Sequence, residues 1–282
     1  MKITTFFKIY YKHRIDKSDI FKKIYIIILL PINYFLNFLF LENRRNLDKE
    51  ALQNNELFQK SLSYLFENFN SDKGDKFLNQ YQKPIKREKA LIDGHKYNLF
   101  YEKFLNKKKK SVIDILELGT FKGNATASFF YFFPNAVIDT GDLYPDLLRY
   151  KSNRINNFKI DTSSKKEIHE KLISQKKKYE LIIEDAGHFF KDQIISLFML
   201  FPKLKKGGIY VIEELDFPDT REDMNILKEK PTLKDILNLV NERKDFTSNY
   251  IDQSEKEYFL ENLKSINIFK GRFNEIAFIE KK

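Results

Sequence analysis

The 282-residue chain carries 50 Lys and Arg against 40 Asp and Glu, a formal net charge of +10, with 28 Phe, 15 Tyr and no cysteine. Absent thiols exclude disulfides and zinc-thiolate sites, and fit a reducing cytoplasm. The aromatic content is ample for a core, and the length fits one main domain of roughly 170 to 220 residues plus attachments.

Residues 1–23 hold seven Lys or Arg against two Asp, and the next eighteen, Ile24 to Leu41, carry no charge. A helix of that length measures about 27 Å, barely enough to span a bilayer. The basic block argues for a cytoplasmic N-terminus. A single span would then export the rest of the chain. We therefore expect the segment not to cross: Pro31, Asn33 and Asn37 sit where a helix breaks and re-enters or lies in the interface, with lysines on anionic head groups. The alternative is a helix that packs on the core or makes a homo-oligomer. No small-residue cleavage pattern follows Leu41, which argues against a signal peptide. Residues 1–50 thus form a basic and apolar N-terminal segment and 51–110 a helical cap or substrate region; Lys107 to Lys110 reads as a solvated linker to a core at 111–282.

Ile113 to Leu118 is an apolar strand ending in Gly119-Thr120-Phe121-Lys122-Gly123, followed by a helical segment over Ala125–Phe132. Glycines there permit a sharp turn and close approach to a ligand. No third glycine completes a dinucleotide fingerprint, so a pyrophosphate cradle is not expected here. A second apolar strand leads to Asp142, nineteen residues after Gly123, where a carboxylate can accept both hydroxyl protons of a ribose. An adenosine-type ligand is implied; an ordinary βα turn is the competing reading. Asn157 to Asp161 reads as a third strand, with Asp161 or Thr162 at the adenine edge, or Asp161 as N-cap of a helix over Lys165–Ile173.

Tyr179 to His188 is a buried strand ending in Glu184-Asp185-Ala186-Gly187-His188, followed by a helix over Asp192–Phe201. After Gly207-Gly208 comes another strand ending in Glu213-Glu214. Two successive parallel strands therefore deliver Asp185, His188, Glu213 and Glu214 to their carboxyl ends, the ligand-binding edge of open α/β sheets. Carboxylates at strand ends also serve as solvated groups or helix caps, and His188 also fits a loop-holding role. Residues 216–263 read as a charged, mostly helical insert that either closes over an acceptor or is a solvated connection. Ser265–Phe269 and Asn274–Ile279 flank Lys270-Gly271-Arg272 as a hairpin. His13 and His169 match no pattern and are expected on the surface.

These motifs resemble the metal-dependent sugar O-methyltransferases of the mycinamicin and macrolide-sugar type. Glu117-x-Gly119-x-x-x-Gly123 resembles motif I of the class I S-adenosylmethionine (SAM) methyltransferases. Glu184 to His188 and Leu200 to Leu215 resemble the family's D-D-G-S-H and L-F-P-x-L-K-P-G-G-x-Y-x-I-E-D-L. Ser71-Asp72-Lys73-Gly74 and His95-x-Tyr97-x-x-x-Tyr101-Glu102 resemble its upstream motifs, so the likeness covers about residues 65–282. It implies an α/β, Rossmann-like, doubly wound sheet, mostly parallel with a C-terminal antiparallel strand pair, plus an N-terminal helical extension. It further implies SAM bound by Glu117, Gly119, Thr120, Gly123, Asp142 and Asp161, with Tyr101 lining the cofactor or substrate pocket. Asp185, Glu213 and Glu214 would hold Mg²⁺, the hard oxygen donors suiting that ion. His188 would take the proton of a sugar or glycan hydroxyl. The chain departs from the pattern where Glu184 and Glu214 stand for the family's aspartates and Gly187 for its serine. Catalytically altered scaffold and hydroxylase readings therefore stay open. A nucleic-acid partner is not expected, because the positive charge is scattered and no aromatic-interleaved basic patch stands out. The implied location is cytoplasmic, peripheral or monotopic on the membrane's cytoplasmic face.

Overall fold

The structure, a computed structural model, describes residues 1–86 and 88–282. Its centre is a seven-stranded sheet built from β1 (Asp114–Leu118), β2 (Val137–Asp142), β3 (Ile155–Lys159), β4 (Tyr179–Glu184), β5 (Leu204–Ile212), β6 (Leu263–Lys270) and β7 (Glu275–Lys281). The order across the sheet is β3-β2-β1-β4-β5-β7-β6. The first five strands pair in parallel, and β7 pairs antiparallel to both β5 and β6. The order of strands runs outward from β1 to β2 and β3 on one side and to β4 and β5 on the other, so the crevice above its carboxyl end is the topological switch point.

Side chains alternate between two apolar layers, as a sheet covered on both faces demands. Ile115, Leu181, Ile183, Val211 and Phe278 face one layer, and Leu116, Ile182, Tyr210, Ile212 and Ile279 the other. Helix Asn124–Phe132 lies in the first layer and is buried all round from Ala125 onward, which is why its pattern reads apolar without an amphipathic period. Leu62, Leu65, Phe66, Tyr101 and Leu105, from the helical segments before β1, join the same layer. Each fully buried large apolar side chain contributes roughly 1.5–3 kcal/mol, so these helices are part of the core's stability.

The segment after Glu214 is only partly the solvated connection considered above. Helix Leu233–Asn241 is capped by a reciprocal Thr232–Asp235 box and buries Leu233, Ile236 and Leu237 against the second layer, while Phe259 of helix Gln253–Asn262 packs on Phe198 and Phe201. The third strand begins two residues earlier than its sequence suggests.

At the N-terminus, helix Ile20–Phe38 runs through Pro31 without breaking. Pro31 has no N–H for the ladder, but Asn33 and Asn37 donate their side-chain amides to the carbonyls of Leu29 (3.0 Å) and Asn33 (2.8 Å), adding bonds around the gap. The expectation of a break is therefore corrected. Nor is the helix buried on the core: Phe21, Ile24, Ile28, Ile32 and Phe35 are exposed. Among the described residues it is the helix long and apolar enough to cross a membrane, by length and composition. Helix Ile3–Tyr10 packs back on it through Phe6, whose ring lies 5.6 Å from Tyr34, and is tied to the main fold by Lys2 N–H and Thr5 Oγ1 donating to Asp146.

Candidate active site

The carboxyl ends of β1, β2 and β4 line up, with Leu118 paired to Gly141 on one side and Glu184 on the other. Above them opens a cleft of about 810 Å³, within the range of small-molecule sites. Gly119 adopts φ +84°, and a Cβ there would lie 1.8 Å from the carbonyl oxygen of Asp185. Only glycine lets the two loops meet. Asp142 accepts backbone N–H bonds from Phe121 (2.8 Å) and Tyr144 (2.6 Å), which fix its carboxylate at the cleft wall. Glu117 is buried at the end of β1 and accepts from Thr126 Oγ1 at 2.5 Å; burial raises its pKa to about 7. Thr120, Asp161 and Thr162 also line the cleft.

Two of the expected cofactor residues lie outside the cleft lining. Gly123 does not line the cleft; its φ of +80° starts helix Asn124–Phe132 and its α-carbon faces Leu148. Tyr101 is fully buried outside the cleft lining, and its hydroxyl donates to Glu213 Oε1 at 2.5 Å. Its neighbour Glu102 points away and accepts two bonds from Ser63. The N-cap considered for Asp161 is supplied by Ser164, while Asp161 accepts from Ser163 N–H and Oγ in the turn before it.

At the other end of the cleft the loops after β4 and β5 bring Asp185, His188, Glu213 and Glu214 together. Asp185, His188 and Glu214 place one ligand atom each within 4.8 Å of the others. His188 Nε2 lies 3.5 Å from Asp185 Oδ1 and 3.7 Å from Glu214 Oε2. His188 and Glu214 have φ of +53° and +47°, a conformation that strains residues with a Cβ and is concentrated at functional sites. Glu213 does not join this trio. Its Oε1 accepts from Tyr101 and its Oε2 lies 2.7 Å from Lys73 Nζ, which also reaches Asp185 Oδ2 at 2.6 Å. An ammonium already satisfies the oxygen that the expected metal set would have used.

Lys73 is 1% exposed. Burial opposes its charge, yet Asp185 and Glu213 hold its pKa well above the ordinary lysine value. Burial likewise opposes ionisation of Asp185, but Lys73 keeps that carboxyl below its usual range. For Glu214, burial, then Asp185 and Glu213, outweigh the pull of Lys73 and push its pKa far up, and its Oε2 is buried without a hydrogen bond. His188 is held neutral by burial, against the pull of Asp185, and its Nδ1 is also buried without a partner. His95, singled out by motif alone, sits 3.2 Å from Glu214 Oε1 and stacks on Tyr97. Lys73 was legible only as a motif letter. The Asp192 carboxyl, raised to about 6 by burial in the cleft, was not foreseen. His13 and His169 are exposed.

The strand order, the switch-point cleft and the terminal antiparallel pair are those of the class I SAM-dependent methyltransferase fold. Among solved structures, the chain is similar to the MycE methyltransferase from the mycinamycin biosynthetic pathway in complex with Mg and SAH, at 18% identity and TM-score 0.57, covering 79% of this chain and 55% of that one. It is also similar to the same enzyme with Mg, SAH and mycinamycin VI, at 17% identity and TM-score 0.59, covering 79% and 54%. The chain thus spans about half the length of those proteins. Neither a protein-family model nor a curated protein matches the chain.

Proposed function

We propose that this chain is a SAM-dependent O-methyltransferase, assisted by a divalent ion, that methylates a hydroxyl of a sugar or glycan at the cytoplasmic membrane face. The observation that carries the reading is a single cleft with a ribose-type acid, Asp142, at one end and the Asp185–His188–Glu214 trio at the other. Both groups fit. Gly119 lets the loops after β1 and β4 meet at the floor of the cleft, and Glu214 Oε2 is buried there without a hydrogen bond. Asp185 and Glu214 would hold the ion, and Asp142 with the Gly119–Thr120 turn would hold SAM. When bound, these groups supply a lowered hydroxyl pKa and an electrophilic methyl.

The chain's own residues do the rest. His188 lines the cleft with Nδ1 buried, so Nε2, beside Asp185 and Glu214, is the ring nitrogen left to accept the hydroxyl proton. Lys73 and Tyr101 lock Glu213, and Lys73 orients Asp185. Phe217, Arg221 and Met224 wall the acceptor side, so the start of the insert bears on the substrate. Aligning the two reactants provides much of the rate in such a direct transfer.

The test is isothermal titration of SAM and S-adenosylhomocysteine (SAH), with and without Mg²⁺. Asp142→Ala should weaken both nucleosides at least about tenfold, and Asp185→Ala should leave them bound while removing any Mg²⁺ effect. No nucleoside binding by the wild-type chain overturns the reading. Vesicle flotation of the full chain against a chain lacking residues 1–46 tests the membrane element; equal activity of the two on a soluble nucleotide sugar counts against it.

A further inference from the structure

A second cavity, of about 420 Å³, opens beside the first between the N-terminal helices and the loops that carry Lys89, Lys122 and Arg149. Lys122 and Leu147 line both. Its walls carry five cations, Arg44, Lys86, Lys89, Lys122 and Arg149, against two acids, Glu42 and Asp146. Asp146 is already engaged by Lys2 N–H and Thr5 Oγ1. Glu42, 64% exposed, is the one acid facing Lys89 (3.4 Å) and Arg149 (3.0 Å). Arg149 Nη2 is itself buried, with the exposed Glu42 carboxylate as its ion-pair partner. Lys122 donates to the Gln80 carbonyl, which carries no charge. Burial, with Lys89 and Arg149 nearby, lowers the Lys122 pKa to about 8. Lys89, Lys122 and Arg149 are partly desolvated, and cations clustered with so little counter-charge are an anion site by electrostatics.

We propose that this pocket is a diphosphate subsite, holding the diphosphate of an acceptor whose sugar enters the adjoining cleft. The proposal rests on the methyltransferase reading and narrows its substrate to sugars carried on a diphosphate. Two carriers share that chemistry, a nucleoside and a polyprenyl lipid. The surroundings favour the lipid: Phe40 and Leu41, which line the pocket, directly follow the exposed apolar helix Ile20–Phe38. A membrane-borne diphosphate would thus enter beside the element proposed to rest on the bilayer.

The experiment titrates inorganic pyrophosphate into the full chain, wild type and Lys89→Ala/Arg149→Ala, with SAH titrated into the same samples. One pyrophosphate per chain is expected, weakened by roughly tenfold or more in the double variant and by added salt, with SAH affinity unchanged. Unchanged SAH binding shows that the variant is folded, and Arg149→Lys should restore part of the pyrophosphate affinity. SAH binding without pyrophosphate binding, or equal pyrophosphate affinity in the double variant, overturns the subsite and leaves the methyltransferase reading standing. Failure of SAH to bind wild type overturns that underlying reading instead, and the narrowed substrate with it. Uridine diphosphate and farnesyl diphosphate in phosphatidylcholine vesicles then separate the carriers, tighter binding of the second supporting the lipid.

Discussion

Replacing Lys73 by Met removes the one buried cation among the site's acids. Its ammonium lies 2.6 Å from Asp185 and 2.7 Å from Glu213, with only 1% of the side chain exposed. Methionine fills similar volume but leaves Asp185 without a counter-ion, next to Glu213 and Glu214, whose pKa values burial already raises. Breaking a buried ion pair in this way costs roughly 3–5 kcal/mol, which for a chain of this size lowers Tm by on the order of 10 °C. The sign with pH follows from the two shifts. Asp185 is held below 3.8, so its contribution is present above that value and lost as pH falls through the folded pKa; Lys73 is held above 10.5, so its contribution is complete below that value. Both are in force at pH 7 and both vanish in the variant. The loss should therefore be largest near neutrality and shrink on acidification, as protonation discharges the stranded carboxylate. Urea denaturation followed by circular dichroism at pH 7 and pH 4.5 measures it. A loss below about 1 kcal/mol at pH 7, or one independent of pH, would refute the assignment of Lys73 as counter-ion. Added Mg²⁺ should stabilise the variant more than the wild type, because the vacated oxygens accept a cation.

Glu117 gives the opposite pH dependence. Its folded pKa, about 7, stands above the ordinary 4.5, so the folded chain binds the extra proton in that window and stability falls as pH rises through it. At roughly 1.4 kcal/mol per unit the effect is about 3.5 kcal/mol, and Glu117→Gln should flatten the stability profile between pH 4.5 and 7; an unchanged profile would contradict it. Gly119→Ala places a Cβ 1.8 Å from the Asp185 carbonyl at φ +84°. We expect a loss of more than about 4 kcal/mol, and of SAH binding, read by thermal melts and titration; a near-wild-type melt would show that the loops part easily.

The strands, their order in the chain and the acids at their ends were legible in the amino-acid sequence because each depends on local chemistry. Apolar runs such as Leu181–Ile183 have only buried strands open to them, and Gly119 announces a turn wherever it sits. Periodicity likewise marked the terminal hairpin, and the unbroken apolar run from Ile24 showed a helix with no polar face. What the sequence did not reveal was partnership between residues far apart. Lys73 meets Asp185 and Glu213 across 112 and 140 positions, and its charge, not the identity of Glu213, decides which oxygens remain free. Tyr101 and Gly123 carried the right letters, but packing turned one toward Glu213 and the other toward Leu148. The second pocket exists only because the N-terminal hairpin folds back over Asp146 and brings Arg44 to Lys89, Lys122 and Arg149. Local propensity acts within a few residues, whereas burial and charge pairing act through space, so composition determined the layers and the tertiary structure decided the site.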